Sequence, residues 1–433
     1  MNEPGALLDL DVTGIAHGGV FVARHEGRVV FVADAVPGER VRARLTAPST
    51  ATASGADKRS FWRAETVEVL DASPHRRPHV WAEADVSRAP EQRPGGADLG
   101  HIAIDHQRAL KRRVLQEALD RFAGGGIDAP EVEATGTDEH WRTRVTLHVD
   151  AEGRIGPFAA RSHRVVPVGE HVLARPGIDA AARELSGLAE GRVELIEPAD
   201  GRVRRLMLPE AERNAHRSGR GGQSGRGARG RRPARRPRTA PETILEHVGE
   251  RTFGLDADGF WQIHPAAAGL LDGAVADLLD GLVDPDAAHL DLYGGVGLFA
   301  ATLARLGARR ITTVESSPRA TGHAGDNLRD LGVEAVTARV DRFLRTTAAA
   351  AAGVAGGAVI LDPPRSGAGR AVVEDVAALD PGAVVYVACD PVALARDLAT
   401  FRALGFEPRR MRAFDLFPHS HHLETVALLT RER

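Results

Sequence analysis

The carboxyl-terminal part of the chain, from about residue 245 to 433, alternates apolar runs with helical segments. HLDLYGGVGLFAATLARLG has the pattern of a strand, a glycine turn and a helix, and ARRITTVESSPRATGHAGDNLRDLG repeats the strand and the helix. Further strands are predicted in VTARVDRFL, AVILDPPRSGAG, VVYVACDP and HLETVALLTR. Such alternation is typical of a parallel sheet with helices on both faces. We therefore expect an α/β fold with a Rossmann-like, doubly wound sheet in 245–433.

Two further units are predicted before this sheet. Residues 1–72 alternate apolar and polar positions between turn signals, and five short strands in that span suit an OB-like β-barrel. Such barrels often hold single-stranded or looped nucleic acid, although a purely structural module is the alternative. Residues 73–244 predict an α+β central domain, with an amphipathic helix over 99–123 and short strands from about 141 to 208.

The positive charge is concentrated in one segment. The formal net charge is −3, yet residues 213–238 contain ten arginines and no acidic residue. This tract belongs to a glycine-rich insertion at 211–240 whose composition predicts disorder. The tract is either a solubilising linker or an RNA-binding arm, because arginine neutralises phosphates and stacks on bases.

Targeting and membrane segments are not predicted. The amino-terminal MNEPGALLDLDV lacks the basic and apolar regions of a signal peptide. The longest apolar run, 348–361, is shorter than the roughly 20 residues that a membrane-spanning helix needs. Cysteine usage is also minimal, with one cysteine in 433 residues. We expect a soluble, cytoplasmic protein, monomeric and without a membrane partner.

That single cysteine, Cys389, follows the predicted strand 384–388 and precedes a helix that begins at about Pro391. It excludes an intramolecular disulfide and any zinc or iron–sulfur site built only from cysteines of this chain. Packing in the core is the usual role of a free cysteine. The position favours chemistry instead, because open α/β sheets bind ligands at the carboxyl ends of their strands and a helix N-terminus favours the thiolate.

A glycine turn at 294–297 follows another predicted strand and lets the backbone approach a bound nucleoside. Glu315 ends the next strand, where an acid can bind both ribose hydroxyls. NAD and S-adenosylmethionine are both compatible with this pattern. The absence of G-x-G-x-x-G disfavours a dinucleotide, and Asp291 suits a methionine amino group better than a phosphate. Asp362 begins the sequence DPPR after a further strand, and beside a cofactor turn this motif indicates methyl transfer to a nucleobase.

Taken together, these motifs resemble the uracil-5 RNA methyltransferase family. The resemblance is carried, in family order, by FWQIHP, DLYGGVGLF, VESSPRATGHAGDNL, DPPRSGAG, VVYVACDPVALARD and FPHSHHLETVALL. The amino-terminal barrel resembles a TRAM domain, and HIAIDHQRALKRRV and GRIGPFAARSHRVVPV are similar to the family's central region. The resemblance implies a class I S-adenosylmethionine-dependent enzyme that makes 5-methyluridine in tRNA or ribosomal RNA, so the implied partner is RNA.

The resemblance also implies roles for individual residues. Cys389 matches the nucleophile and Glu424 the general base. The implied S-adenosylmethionine-binding residues are Gln262, Tyr293, Glu315 and Asp362, with Asp291, Gly294 and Asp341 as further candidates.

These roles agree with the chemistry of uracil. Attack of a thiolate on C6 saturates the 5,6 bond and leaves an enolate with its electron density on C5. C5 can then take the methyl group, after which a carboxylate must remove the C5 proton. The target base has to be extruded into the pocket, which explains an RNA-binding barrel in the same chain.

The chain departs from the family in two places. Many relatives carry a four-cysteine cluster that ends in C-G-G-C, where this chain has PGGA at 94–97, so no iron–sulfur cluster is expected. Leu298 stands where relatives often have asparagine in the glycine turn. His419, His421 and His422 lack a further acid at ligand spacing, so no metal is expected either.

Two other classes of protein remain as alternatives. One is an RNA-binding protein with an inactive methyltransferase domain, and the presence of both Cys389 and Glu424 disfavours it. The other is a methyltransferase acting on a nucleobase amino group, which needs no cysteine and has a proline-proline-aromatic motif in place of DPPR. Substitution of Cys389 distinguishes the alternatives, because only C5 chemistry requires the thiol.

Overall fold

In the computed structural model, the described residues are 3–46, 61–209, 241–346 and 353–431. The amino-terminal strands form a closed barrel in the order β1-β2-β3-β5-β4. Along the first strand, Leu8, Leu10 and Val12 are buried while the residues between them are exposed, so the alternation in the sequence builds the barrel core. The predicted OB-like barrel is confirmed. Its strands are β1 Leu7–Ala16, β2 Val20–His25, β3 Arg28–Ala33, β4 Arg40–Leu45 and β5 Trp62–Asp71.

The central region combines a long helix with small antiparallel sheets. A four-stranded sheet has the order β10-β9-β7-β8, and β11 and β12 form a separate hairpin. Single 3-10 turns lie at Ala82–Ala84 and Pro90–Gln92. The elements are α1 Ile104–Phe122, β6 Val132–Glu133, β7 Arg144–Val149, β8 Ile155–Gly156, α2 Pro176–Arg183, β9 Gly191–Ile196, β10 Arg204–Pro209, β11 Thr243–Val248 and β12 Arg251–Asp256.

The carboxyl-terminal sheet has eight strands in the order β15-β14-β13-β16-β17-β19-β18-β6. The five strands from β15 to β17 are parallel, and β19 runs antiparallel between β17 and β18. The predicted doubly wound sheet is therefore confirmed. Its elements are α3 Ala267–Leu279, β13 Ala288–Leu292, α4 Leu298–Arg305, β14 Arg310–Glu315, α5 Pro318–Asn327, a 3-10 turn Arg329–Leu331, β15 Glu334–Thr337, α6 Val340–Phe343, β16 Ala358–Leu361, α7 Arg370–Ala378, β17 Ala383–Ala388, α8 Pro391–Ala403, β18 Phe406–Phe414 and β19 Glu424–Arg431.

Helices cover both faces of this sheet, so its central strands are apolar throughout. Every residue of β13, β16 and β17 is buried. Along β17, Val384 and Tyr386 pack into the core on one face, while Val385 and Val387 pack into the core on the other. Both faces of the sheet are thus packed against a hydrophobic core. The loops at the strand ends therefore begin from well-packed strands.

Three sequence-based boundaries differ from the structure. The helix expected over 99–123 begins at Ile104, because the preceding residues bind elsewhere: His101 donates a hydrogen bond from Nε2 to the Ala35 carbonyl at 2.8 Å. The segment VTARVDRFL is a strand only to Thr337 and then turns into α6, whose Val340 and Phe343 are buried at helical spacing. In addition, β6 of the central region pairs with β18 and extends the carboxyl-terminal sheet.

Two further points complete the description. The insertion at 211–240, predicted to be disordered, lies outside the described residues. Across the described ranges, the helices are all too short or too polar to cross a membrane.

Candidate active site

The predicted site residues converge at the carboxyl edge of the sheet. Tyr293, Glu315, Asp362 and Cys389 follow or end β13, β14, β16 and β17, which are parallel and therefore finish at one edge. The antiparallel β19 starts at that edge with Glu424 as its first residue. The fold thus gathers groups that are far apart in the sequence.

Cys389 and Glu424 face each other across neighbouring strands. Ala388 pairs with Thr425 in the register of β17 and β19, so the next residues outward are Cys389 and Glu424. Cys389 is half-buried, and Glu424 is buried with 4% of its surface exposed. A thiol and a carboxyl group therefore adjoin at the mouth of the site.

The electrostatics keep this thiol protonated. Burial, and then the charge of Glu424, raise the pKa of Cys389 to about 12, while Arg365 acts in the opposite direction. Burial and the neighbouring carboxylates thus oppose the effect expected of the helix N-terminus on this thiol. Asp390, the next residue, caps α8: its Oδ1 accepts hydrogen bonds from the backbone N–H groups of Val392 and Ala393, at 3.0 and 2.9 Å.

The same surroundings disfavour the charged form of Glu424. Burial, and then the charge of Asp362, raise the pKa of Glu424 well above its ordinary value, and Arg365 opposes the shift. Arg365 also donates a hydrogen bond from Nη2 to Nε2 of His422 at 3.3 Å. Burial, and then His421, lower the pKa of His422 to about 3, so its ring is a neutral acceptor.

The glycine turn after β13 is imposed by sterics. A Cβ on Gly294 would lie 2.0 Å from Oγ1 of Thr313 and 2.6 Å from Oδ2 of Asp291. Tyr293, immediately before it, has a φ of 64°, and Gly297 has a φ of 97°. The chain can make this sharp turn, and bring its backbone up to a ligand, only with glycine at 294.

Asp291, below this turn, presents an unsatisfied carboxylate oxygen. Its Oδ2 accepts hydrogen bonds from Oγ1 of Thr313 at 2.9 Å and from the N–H of Ala300 at 3.2 Å. Its Oδ1 is buried and has no hydrogen-bond partner. Burial raises the pKa of Asp291 to about 6, and burial together with Asp291 raises the pKa of Asp362 to about 7. Two crowded carboxyl groups of this kind fit a ligand that carries positive charge.

The other candidate cofactor residues are Glu315, Tyr293, Asp341 and Gln262. Glu315 is fixed by hydrogen bonds to its Oε1 from the Ser317 N–H at 2.7 Å and the Ser316 hydroxyl at 3.0 Å. Burial, and then the charge of Asp341, raise the pKa of Tyr293 to about 12, so these two residues are neighbours. Gln262 lies half-buried in the loop after β12.

A clamp on the DPPR loop was not predicted from the sequence. Oδ2 of Asp397, on α8, accepts hydrogen bonds from the Tyr386 hydroxyl at 2.6 Å, the Ala368 N–H at 2.8 Å and the Gly369 N–H at 3.2 Å. The loop is thereby tied to β17 and α8. The only sequence signal for these hydrogen bonds is Asp397 itself, in ALARD. Acidic side chains are too common on helices for this signal to be informative.

The three histidines before β19 serve separate contacts. The Gln107 amide and His419 Nδ1 are 3.1 Å apart, and Nδ1 of His421 is 2.6 Å from Oδ2 of Asp98. His422 receives the hydrogen bond from Arg365. Within the described residues, no group of three or more His, Cys, Asp or Glu side chains is arranged to hold a metal ion.

A Rossmann-like sheet with a glycine turn, paired carboxyl groups and a DPPR loop defines a methyltransferase. The family model for tRNA (Uracil-5-)-methyltransferase matches residues 277–432, and the TRAM domain model matches residues 2–55. An uncharacterized RNA methyltransferase of Streptomyces avermitilis is 37% identical, with 98% of each chain covered. The 23S rRNA (uracil(1939)-C(5))-methyltransferase RlmD of Halomonas elongata is 32% identical, over 97% of this chain and 89% of that protein.

Among solved structures, the Pyrococcus abyssi tRNA (uracil-54, C5)-methyltransferase in complex with S-adenosyl-L-homocysteine shares the fold. Its TM-score is 0.64 at 20% identity, with 98% of this chain and all of that chain covered. The chain belongs to the uracil-5 RNA methyltransferase family, whose members are S-adenosylmethionine-dependent enzymes. The resemblance inferred from the motifs is confirmed.

Proposed function

We propose that this protein methylates C5 of a uridine in tRNA or ribosomal RNA through a covalent adduct between Cys389 and C6 of the base, with Glu424 as the general base. The observation that carries the proposal is the facing pair of Cys389 and Glu424 at the ends of β17 and β19. An inactive RNA-binding relative would have no need to keep this pair. A methyltransferase of amino groups would not use the thiol.

Cys389 performs the first step. Its S–H bond breaks with the proton passing to water, its sulfur bonds to C6, and the electron pair of the 5,6 double bond moves onto C5 and the O4 carbonyl. Because the pKa of the thiol is about 12 in the free protein, ionisation has to be coupled to this attack. Arg365 is the cation that favours the ionised thiol.

Glu424 completes the reaction. S-adenosylmethionine, when bound, supplies an electrophilic methyl group to C5. C5 then carries a methyl group and a hydrogen, and the Glu424 carboxylate removes that hydrogen as a proton. The C–H electrons restore the 5,6 double bond, and the C6–S bond breaks with its electron pair returning to sulfur. A carboxylate whose pKa is raised by burial is a stronger base than an exposed one.

For the cofactor, the chain offers two kinds of contact. Asp291 and Asp362 are crowded carboxyl groups suited to a cationic ligand, and Asp291 Oδ1 is an acceptor without a protein donor. We propose that Glu315 takes the ribose hydroxyls. The remaining lining is proposed to come from Gln262, Tyr293, Gly294 and Asp341.

The barrel provides a surface suited to RNA. Phe31 and Phe61 stand edge to face with their ring centres 5.2 Å apart, and the guanidinium of Arg63 lies 5.7 Å from the Phe61 ring. Phe31 pairs with Val22 on one side and with Arg63 on the other, on the outward face of β2, β3 and β5. Aromatic rings beside a cation can stack on bases and contact the phosphate backbone.

The choice of RNA rests on the relatives. RlmD proteins of Halomonas elongata and Chromohalobacter salexigens, 32% and 33% identical over nearly the whole chain, act on 23S rRNA. These relatives favour ribosomal RNA as the first substrate to test. Mapping 5-methyluridine in total RNA from a deletion strain identifies the nucleotide.

A 5-fluorouridine RNA tests the mechanism directly. Fluorine at C5 cannot be removed as a proton, so the methylated adduct should remain attached to Cys389 and migrate with the protein on a denaturing gel. Peptide mapping should then find the nucleotide on Cys389. Efficient formation of 5-methyluridine by Cys389→Ala, with no adduct in the wild type, would overturn the proposal.

A further inference from the structure

The turn between β1 and β2 of the barrel touches the loop that carries the cysteine. Nε2 of His17 lies 2.9 Å from Oδ2 of Asp390, the residue after Cys389. Two residues further, Gly19 lies against His421: a Cβ on Gly19 would come 2.9 Å from Cβ of His421. The turn 17–19 therefore contacts two segments of the candidate active site, one directly after Cys389 and one three residues before Glu424.

Asp390 has a fixed orientation, because both of its oxygens are used. Oδ1 accepts hydrogen bonds from Val392 and Ala393 at the start of α8, and Oδ2 faces His17. Asp390 therefore joins the barrel turn to the start of α8, one residue after Cys389. Because a hydrogen bond is directional, the contact constrains the orientation of the Asp390 carboxylate as well as its distance from His17.

Gly19 makes the close approach possible. Its φ of 68° lies in the left-handed region, and any larger side chain would collide with His421. His421 is itself held by Asp98, with Nδ1 and Oδ2 2.6 Å apart. The turn consequently lies against a side chain that is itself held by a carboxylate, with His17 within hydrogen-bond distance of Asp390.

We propose that His17 is a positioning residue for the nucleophile: its imidazolium holds Asp390 and offsets a carboxylate charge beside Cys389, so that seating of the barrel sets the reactivity of the thiol. The contact between His17 and Asp390 exists without RNA or cofactor. Its consequence for RNA methylation rests on the proposed function.

The charges around His17 and Cys389 predict the direction in which His17 changes the ionisation of the thiol. The hydrogen bond with Asp390 raises the pKa of His17, so the ring is cationic over a wider pH range than an isolated histidine. Asp390 is among the carboxylates that raise the pKa of Cys389, together with Glu424 and Asp362, and Arg365 is the cation that lowers it. Loss of the His17 charge leaves Asp390 uncompensated and should disfavour the thiolate further.

Alkylation by iodoacetamide measures this effect without RNA or cofactor, and the single cysteine makes the signal specific to Cys389. His17→Gln keeps a hydrogen-bond donor but removes the charge, and His17→Ala removes both. His25→Gln is the matched control, because His25 lies on the same barrel at the opposite end of β2. We expect His17→Gln to slow alkylation near neutral pH by roughly two- to fivefold, the size of a partly exposed ion pair, and His25→Gln to leave it unchanged.

The pH dependence separates charge from access. The ratio of the wild-type rate to the His17→Gln rate should fall towards one as the pH rises through the pKa of His17, because the wild type then loses the same charge. A change in access alone would give a ratio that does not vary with pH. Asp390→Asn should speed alkylation, and in that background His17→Gln should have no further effect.

Equal profiles for His17→Gln and His25→Gln, with both variants folded by circular dichroism, would overturn the inference. A fivefold slowing that persists in the Asp390→Asn background would do so as well. With RNA substrate, the inference predicts a lower kcat at unchanged KM for His17→Gln. If no RNA is methylated but the alkylation result holds, the proposed function fails and the link remains.

Discussion

Cys389, directly after β17, lies beside Glu424, the first residue of the antiparallel β19, and the charge of Glu424 is the main influence after burial on the ionisation of the thiol. The thiol and the carboxyl group therefore titrate as neighbours. An increase in negative charge on one disfavours ionisation of the other, which fits a reaction in which they act at different times.

Cys389→Ala should abolish methyl transfer while cofactor affinity changes little. In the proposed mechanism the thiol forms the bond to C6, whereas the proposed cofactor residues lie on other elements. Cys389→Ser should be nearly as inactive, because a hydroxyl group is far less acidic than a thiol. Transfer of labelled methyl groups to RNA and calorimetric titration with S-adenosylhomocysteine measure the two properties. Retained turnover in the alanine variant would contradict the mechanism.

Glu424→Gln should separate methyl transfer from product release. The amide cannot remove the C5 proton, so the methylated adduct should accumulate and resist denaturing electrophoresis. The adduct should also form at lower pH than in the wild type, since the variant lacks one of the charges that raise the pKa of Cys389. Normal turnover without adduct would mean that another group is the base.

Cofactor affinity should fall as the pH drops through the pKa values of Asp362 and Asp291, about 7 and about 6. Protonation removes the negative charges that favour a cationic ligand, and each group can weaken binding by about tenfold one pH unit below its pKa. Calorimetry across this range measures the slope. Asp362→Asn should flatten it, and a pH-independent affinity in the wild type would contradict the assignment.

Removal of the aromatic pair on the barrel should weaken RNA binding without affecting the cofactor. The double substitution Phe31→Ala and Phe61→Ala removes stacking surfaces, each worth about 1–3 kcal/mol per stacked base. Leu7→Ala is the control, since Leu7 is an exposed apolar residue of the same barrel. Filter binding with a ribosomal RNA fragment measures the difference. Equal affinities for the two variants would exclude this face.

Deletion of residues 213–238 should flatten the salt dependence of RNA binding. The segment carries ten arginines and no acid. Plots of log affinity against log salt concentration become steeper by about 0.9 for each phosphate that a protein neutralises. Cofactor affinity should be unchanged. Identical slopes for the full-length and deleted proteins would indicate a linker.

The sequence predicted the sheet and the convergence of its site residues because parallel strands end at one edge and their loops carry distinctive motifs. Contacts between distant segments escaped prediction. The local sequence around His17 does not predict its contact with Asp390, and the sequence around Asp397 does not predict its hydrogen bonds to the DPPR loop. Each contact depends on how whole elements pack. The burial that raises the pKa of Cys389 likewise depends on tertiary packing, which the local sequence does not reveal.

The pairing of β6 with β18 has a consequence for how this protein can be divided. Val132 and Ala413 are partners in the sheet, and Leu115 and Leu119 of α1 fill the core beneath it. A fragment that starts at the hairpin β11–β12 would expose a bare strand and an apolar face, and both invite intermolecular association. The carboxyl-terminal sheet is therefore not self-contained, because one of its two edge strands is contributed by the segment upstream of the hairpin.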